Sequence, residues 1–164
     1  MLEETFVRDL RKLAHDVGLE AGSFESGHDR WSCYRRAMRL PGAIDQLISL
    51  IGREPDNTIA ASVSLSCLEQ VPGVLRERVV SALPDGYSQD LARARMADLS
   101  VLDDLVSRSS VAFESTSMES WSQWLQLRAA KLSSSRKVLE YLASSGVTKR
   151  IRREALARAK EIGG

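Results

Sequence analysis

The sequence contains few cysteines and histidines and no long apolar run. It contains only two cysteines, Cys33 and Cys67, and both lie within helical patterns, so a secreted fold held by several disulfides is excluded and reduced core thiols are expected. No apolar run approaches the roughly 18 residues that a membrane-spanning helix needs. The two histidines, His15 and His28, share no metal-ligand spacing with either cysteine.

The net charge of the chain is close to zero, and the sequence shows no targeting segment. The formal net charge is +1, from 23 Lys or Arg and 22 Asp or Glu, so the chain as a whole is not drawn to polyanions. The first residues, MLEETFVRDLRK, are acidic at the start and carry no signal-type apolar segment. A chain of 164 residues that is 43% hydrophobic fits one globular domain. We predict a single cytoplasmic domain over residues 1–164, without membrane contact.

Strand signals are nearly absent, whereas helical spacing recurs along the chain. No run alternates β-branched with polar residues, and no Asn-Gly hairpin turn occurs. Residues 41–71 predict two helices joined by a tight corner. The first has one apolar face: Ile44, Leu47, Ile48 and Ile51. Gly52 to Pro55 interrupt the pattern, and Asp56 is the expected N-cap of the second helix.

The same spacing predicts further helices on both sides of this pair. They cover residues 2–17, 26–40, 72–83, 116–132, 135–144 and 148–161. Two more are expected to begin at the cap signals of Ser88 and Ser100, and the Ser-rich residues 107–117 are expected to be the longest loop. The sequence therefore predicts an all-α protein of about nine helices.

The last helix pair repeats the pattern of the central pair. Its first helix matches at one constant offset, with Val138, Leu139 and Leu142 against Leu47, Ile48 and Ile51. Its second helix matches at an offset one residue larger, with Ile151, Ala155 and Ala159 against Ile59, Val63 and Cys67. Helix pairs that recur in this way are typical of solenoids, in which each unit stacks on the next.

This layout resembles the HEAT-like helical repeats. The stretch WSQWLQLRAAKLSSSRKVLEYLASSGVTKRIRREALARA is similar to the C-terminal repeat of helical-repeat proteins of high-GC bacteria. The resemblance implies a short right-handed α-solenoid of stacked antiparallel helix pairs, with residues 41–162 as the repeat region and residues 1–40 as N-terminal capping helices. It further implies a non-enzymatic protein-binding module, an immunity protein or inhibitor that neutralises a toxin domain or another partner protein. The alternative is a nucleic-acid-binding protein resembling the HEAT-like alkylpurine DNA glycosylases.

Catalytic patterns are missing from the sequence. There is no Gly-x-Ser-x-Gly elbow and no Gly-rich phosphate loop. Asp103 and Asp104 are adjacent, so on a helix they project from different sides and do not converge as an acid–base pair requires. We predict no enzymatic activity, no metal and no cofactor.

Acidic residues and tryptophans are the candidates for partner contact. A nuclease toxin with a cationic active site would be contacted by Asp98, Asp103, Asp104, Glu114 and Glu119. Trp121 and Trp124, three residues apart on one helix, either form a core layer or supply an anchor for the partner, because Trp is favoured at interface hot spots.

Two basic clusters are the other candidates. Arg30, Arg35, Arg36 and Arg39 crowd one helix, and Lys149, Arg150, Arg152 and Arg153 open the last one. Residues 147–164 carry six Lys or Arg and two Glu, a net charge of +4. These clusters are either solvated helix faces, with cations favoured near helix C-termini, or a surface for phosphates or for an acidic partner. The sequence leaves the oligomeric state open.

Overall fold

The computed structural model describes residues 2–20, 22–107 and 115–163, and every regular element within them is helical. Ten α-helices occur in this part of the chain, with a short 3-10 helix over Pro41–Ala43 between the second and the third. They are α1 Glu4–Asp16, α2 Gly27–Ala37, α3 Ile44–Ile51, α4 Asn57–Gln70, α5 Gly73–Ala82, α6 Tyr87–Ser107, α7 Ser115–Glu119, α8 Gln123–Leu132, α9 Arg136–Ser145 and α10 Lys149–Glu161. The all-α prediction is confirmed, whereas the stacking of a solenoid stays a prediction.

The helices group into two compact units that divide between Met96 and Ala97, inside α6. In the first unit α1 packs on α2 and α3, α2 on α4, and α5 on α3 and α4. In the second unit α8, α9 and α10 pack on one another. The assignment of residues 1–164 to a single domain, with residues 1–40 as a cap, stays a prediction. None of the described helices is long and apolar enough to cross a bilayer.

The first unit begins with an amphipathic helix that ends where the sequence predicts. α1 buries Phe6, Leu10 and Leu13 on one face. Gly18 then takes a positive φ of 68°, a conformation that costs glycine little. The amides of Gly18 and Leu19 bond to carbonyl oxygens in the last turn of α1, at 3.0 and 2.8 Å, which completes a Schellman-type end.

The central pair is formed as predicted. α3 buries its apolar face, which consists of Ile44, Leu47, Ile48 and Ile51. Asp56 caps α4, because its side chain accepts from the amides of Thr58 and Ile59 at 2.9 and 3.2 Å. Gly52, at the end of α3, packs so close to α5 that a Cβ there would collide with the carbonyl oxygen of Ala82. The two helix ends therefore meet backbone to backbone.

The second unit is built from three short helices whose N-caps are hydroxyl side chains. Ser122, Ser135 and Thr148 each accept from the amide three residues ahead, at 3.0, 3.5 and 3.2 Å. The buried side chains between the helices are Leu125, Ala129, Val138, Leu139, Leu142, Ile151 and Ala155. Gln126 is buried among them and bridges α8 to the turn before α10, accepting from the Val147 amide at 3.1 Å.

Four of the six pairs of positions matched between the two helix pairs are buried in both units. Leu47, Ile48 and Ile51 are buried, and so are their counterparts Val138, Leu139 and Leu142. Val63 and Ala155 are both buried as well, whereas Ile59 and Ala159 are half-buried although their counterparts Ile151 and Cys67 are buried. The match in burial is therefore complete for the first helix of each pair and partial for the second. Membership of the HEAT-like class stays a prediction.

Two predicted helix boundaries are wrong. α6 runs without a break from Tyr87 to Ser107, and Ser100 is an exposed residue inside it rather than a cap. Leu99, Leu102 and Leu105 continue the buried face through that point, and no glycine or proline interrupts it.

The predicted helix over residues 116–132 is two helices, α7 and α8, with a new start at the cap of Ser122. Of the predicted loop over 107–117, Ser107 belongs to α6 and Ser115 begins α7, while residues 108–114 lie outside the described part.

Several apolar side chains that helical spacing places on the buried faces of the predicted helices are exposed instead. They are Val74, Leu132, Leu156 and Ile162. The helices that carry them bury narrower stripes than their sequences suggest; α10, for example, buries only Ile151 and Ala155. Leu132 and Leu156 are therefore apolar side chains that solvent can reach.

Candidate functional site

Arg30 does not belong to the surface cluster in which the sequence placed it. It is only 4% exposed, and its Nε and Nη2 donate to the carboxylate of Glu54 at 3.1 and 2.9 Å. Its Nη1 donates to the carbonyl oxygens of Phe24 and Glu25 at 2.9 and 3.1 Å. A signal in the sequence could have shown this burial. Arg30 lies three, four and seven residues before the buried residues Cys33, Tyr34 and Ala37.

Glu54 completes a closed polar network inside the first unit. Besides the guanidinium of Arg30 it accepts from the Tyr34 hydroxyl at 2.7 Å and from the Asp56 amide at 3.1 Å. Burial, followed by the hydrogen bond to Glu54, raises the pKa of Tyr34. Among the described residues no buried side-chain N or O atom is left without a partner. The network therefore joins α2 to the α3–α4 corner, and every buried polar atom in it has a partner.

The remaining arginines of the predicted cluster, two at the end of α2 and one just beyond it, lie on the opposite side, next to a cavity. Arg35, Arg36 and Arg39 are exposed, and together with Ser32 they follow the spacing i, i+3, i+4, i+7. The cavity has a volume of about 690 Å³ and is lined by residues 16–19, at the end of α1, and by residues of the 32–40 stretch. Within the described part of the chain, these three guanidinium groups have no hydrogen-bond or ion-pair partner.

The second predicted basic cluster forms one face of α10. Lys149, Arg153 and Lys160 are exposed, at spacings that place them on one side of the helix around Leu156. Leu156 is 51% exposed. In the region that the structure describes, none of the three cations is paired.

The other two members of this cluster are placed differently. Arg152 donates to the carbonyl oxygen of Gly146 in the turn before α10, so it helps to fix that turn. Arg150 is exposed on the neighbouring side of the helix.

The two basic clusters differ in how their cations interact with the helix dipole. Arg35 and Arg36 lie in the last turn of α2, where cations are favoured, so stability alone can account for them. Lys149 and Arg150 are the first residues of α10, where each cation is disfavoured by about 0.3 to 1 kcal/mol. Residues 123–164 as a whole carry ten Lys or Arg and three Glu, a net charge of +7. Local helix stability does not explain the cations at the start of α10.

The predicted acidic contacts are dispersed. Asp98 is half-buried and accepts from the Ser122 hydroxyl at 2.6 Å, so it supports the cap of α8. Asp103 and Asp104 are exposed on α6, and Glu119 is exposed at the end of α7. Glu114 lies outside the described residues. The structure thus places Asp98 in a hydrogen bond with a residue of its own unit, and it does not gather the predicted acidic residues into one cluster.

The two tryptophans have different environments. Trp121 is 8% exposed and occupies a core position in the second unit. Trp124 is half-buried, and the guanidinium of Arg128 lies 5.4 Å from the centre of its ring, within range of a cation–π contact. Of the two, Trp124 is the one whose ring can be reached from solvent.

The two cysteines are buried thiols. Cys33 and Cys67 are buried and unpaired, and burial raises the pKa of each thiol to about 11, so both stay protonated near neutral pH. No group of three His, Cys, Asp or Glu side chains in the described ranges is placed to hold a metal ion. Comparison of the chain with protein-family models, curated proteins and solved structures finds no match.

Proposed function

We propose that the protein is a non-enzymatic protein-binding module and that it contacts its partner through the exposed face of α10. The observation that supports this proposal is the position of Leu156, a half-exposed apolar residue surrounded by the unpaired cations Lys149, Arg153 and Lys160. An apolar centre with a charged rim is the organisation of a protein interface. The rim charges would select an acidic partner and speed its association.

A shallow groove beside this face suits a side chain of the partner. It has a volume of about 410 Å³ and lies between the start of α9 and the end of α10. Leu156 and Ala159 provide its apolar lining, while Arg136, Glu140 and Lys160 provide the polar lining. An apolar residue of an acidic segment fits this combination, because it can contact Leu156 while its neighbours pair with the cations.

The inhibitor role is a finer proposal, and it rests on the resemblance to small helical-repeat proteins of the immunity type. In that case the partner is a toxin domain that the protein neutralises by covering its active surface. If that active surface were cationic, the exposed acids Asp103, Asp104 and Glu119 would contact it instead of α10. Reversing the charge of Asp103 and Asp104 separates the two versions, because only the second loses affinity.

The test is affinity purification of the tagged chain from its native cells, with and without nuclease, followed by mass spectrometry. We expect a stoichiometric protein partner that survives nuclease, and its loss from the double variant Arg153→Glu, Leu156→Glu. The control is Lys131→Glu, which reverses an exposed and unpaired cation of α8 in the same unit. A partner that the double variant retains would show that α10 is not the contact surface.

A second candidate function, nucleic-acid binding, is favoured by the net charge of +7 over residues 123–164. If the three unpaired cations of α10 each neutralised one phosphate of duplex DNA, log affinity would fall with log salt at a slope of about −2.7. The Arg153→Glu substitution should then reduce the magnitude of that slope by about one. A DNA titration over a salt series measures both values, and no binding at low salt excludes this function.

A further inference from the structure

The cavity beside α2 in the first unit is a second candidate for ligand binding, and it is independent of the α10 face. It is lined by two short stretches of chain, and its volume of about 690 Å³ falls within the usual range of small-molecule sites, roughly 300 to 1,000 Å³. Its walls are of two kinds. Val17, Leu19 and Leu40 provide apolar surface, and three arginines and Asp16 provide charge.

The side chains that line the cavity give it a net positive charge. Arg35, Arg36 and Arg39 contribute three positive charges and Asp16 one negative charge, which leaves a net charge of +2. In the described chain the Asp16 carboxylate contacts His15, at 3.5 Å, and none of the three guanidinium groups, so Asp16 does not neutralise the arginines directly. A phosphate monoester carries about −1.5 to −2 charges near neutral pH, which complements this value.

Guanidinium chemistry favours phosphate among the small anions. Each guanidinium presents a planar fork of N–H donors that matches two oxygens of a phosphate. Three forks, two in the last turn of α2 and one just beyond its end, can surround a group with three terminal oxygens. Gly18 also lines the cavity, and a Cβ there would lie 4.0 Å from Nη2 of Arg36, an ordinary van der Waals distance.

Helix stability does not explain the whole arrangement. The dipole of α2 accounts for Arg35 and Arg36, in its last turn, but Arg39 lies beyond the end of the helix at Ala37. Leu40 follows on the same wall and is exposed. We infer that the cavity formed by Arg35, Arg36 and Arg39 binds a small phosphate ester, with the phosphate on the arginines and an uncharged organic part against Val17, Leu19 and Leu40.

The experiment is an NMR titration of the ¹⁵N-labelled full chain at constant ionic strength, with phenyl phosphate, inorganic phosphate and a short DNA oligonucleotide as separate probes. We expect saturable shifts of the amides of residues 16–19 and 32–40, and tighter binding of phenyl phosphate than of inorganic phosphate because of the apolar wall. Removing charged hydrogen bonds should weaken binding by about tenfold or more in the double variant Arg36→Gln, Arg39→Gln.

The matched control is Arg93→Gln, which removes an exposed arginine of α6 in the same unit and should leave the phenyl phosphate affinity unchanged. The remaining amide signals of the double variant report whether it is folded. Shifts that do not saturate, or an unchanged affinity in the folded double variant, would overturn the inference. Equal affinities for phenyl phosphate and inorganic phosphate would contradict the proposed contact between an organic group and the apolar wall. Saturable binding of the oligonucleotide alone would show that the ligand is a nucleic acid and not a small phosphate ester.

Discussion

The Glu54→Gln substitution tests the buried network most directly. Glutamine has nearly the same shape as glutamate, so it leaves packing intact and removes the negative charge. Arg30, whose side chain is 5% exposed, would then be a cation without its counter-charge inside the first unit. The introduced side-chain amide would also turn an N–H₂ group toward donors, because the guanidinium of Arg30, the Tyr34 hydroxyl and the Asp56 amide all donate to Glu54.

The expected loss of stability follows from the geometry. Breaking a buried ion pair by removing one partner costs about 3 to 5 kcal/mol, because the other charge stays buried and unpaired. The side-chain oxygen of the introduced glutamine can still accept from one or two of the donors, so we expect a value near the lower limit, about 3 kcal/mol. Such a loss is a large fraction of the roughly 5 to 15 kcal/mol that stabilises a typical domain.

Urea unfolding at pH 7, followed by circular dichroism, measures this change. The control is Glu140→Gln, which removes the negative charge of the exposed Arg136–Glu140 pair in α9, at 3.1 Å, and should cost less than about 0.5 kcal/mol. A difference of less than about 1 kcal/mol between the free energies of unfolding of the Glu54→Gln protein and the wild type would contradict this reasoning. It would show that the network contributes little to holding α2 against the α3–α4 corner.

Two further predictions concern the first unit. Cys33 and Cys67 should resist alkylation by iodoacetamide at pH 8 in the native state and react only after denaturation, since both are buried with a pKa of about 11; rapid native labelling, read by mass spectrometry, would contradict this. Gly52→Ala should destabilise the protein by about 1 to 3 kcal/mol in urea because its Cβ meets the backbone of α5, whereas Gly73→Ala, with open space at that position, should not destabilise it.

Local signals decided how much of the fold the sequence could predict. Asp56 has its expected role because a cap depends on only the next three residues, and the face of α3 is correct because its spacing is unambiguous. Ser100 failed as a cap because a serine signal looks the same inside a helix as at its start. The difference lies in Leu99, Leu102 and Leu105, which keep the buried face continuous.

The candidate sites were predictable only in part. The arginines beside the cavity and the cations of α10 could be named from charge alone, but the roles of Arg30 and Asp98 could not. The partner of Arg30 is Glu54, which lies 24 residues away, and such a pairing depends on how α2 meets the α3–α4 corner. The exposure of Leu156 likewise depends on how narrow a stripe α10 buries, which a periodic pattern does not specify.

The excess of positive charge in residues 123–164 has a consequence for how this segment responds to its surroundings. Ten cations and three carboxylates on three short helices leave a net repulsion, and salt screens that repulsion over a Debye length of about 8 Å at physiological ionic strength. Added salt should therefore stabilise these helices. An anionic partner would stabilise them further by mass action, so the melting temperature of the protein should rise as the partner binds.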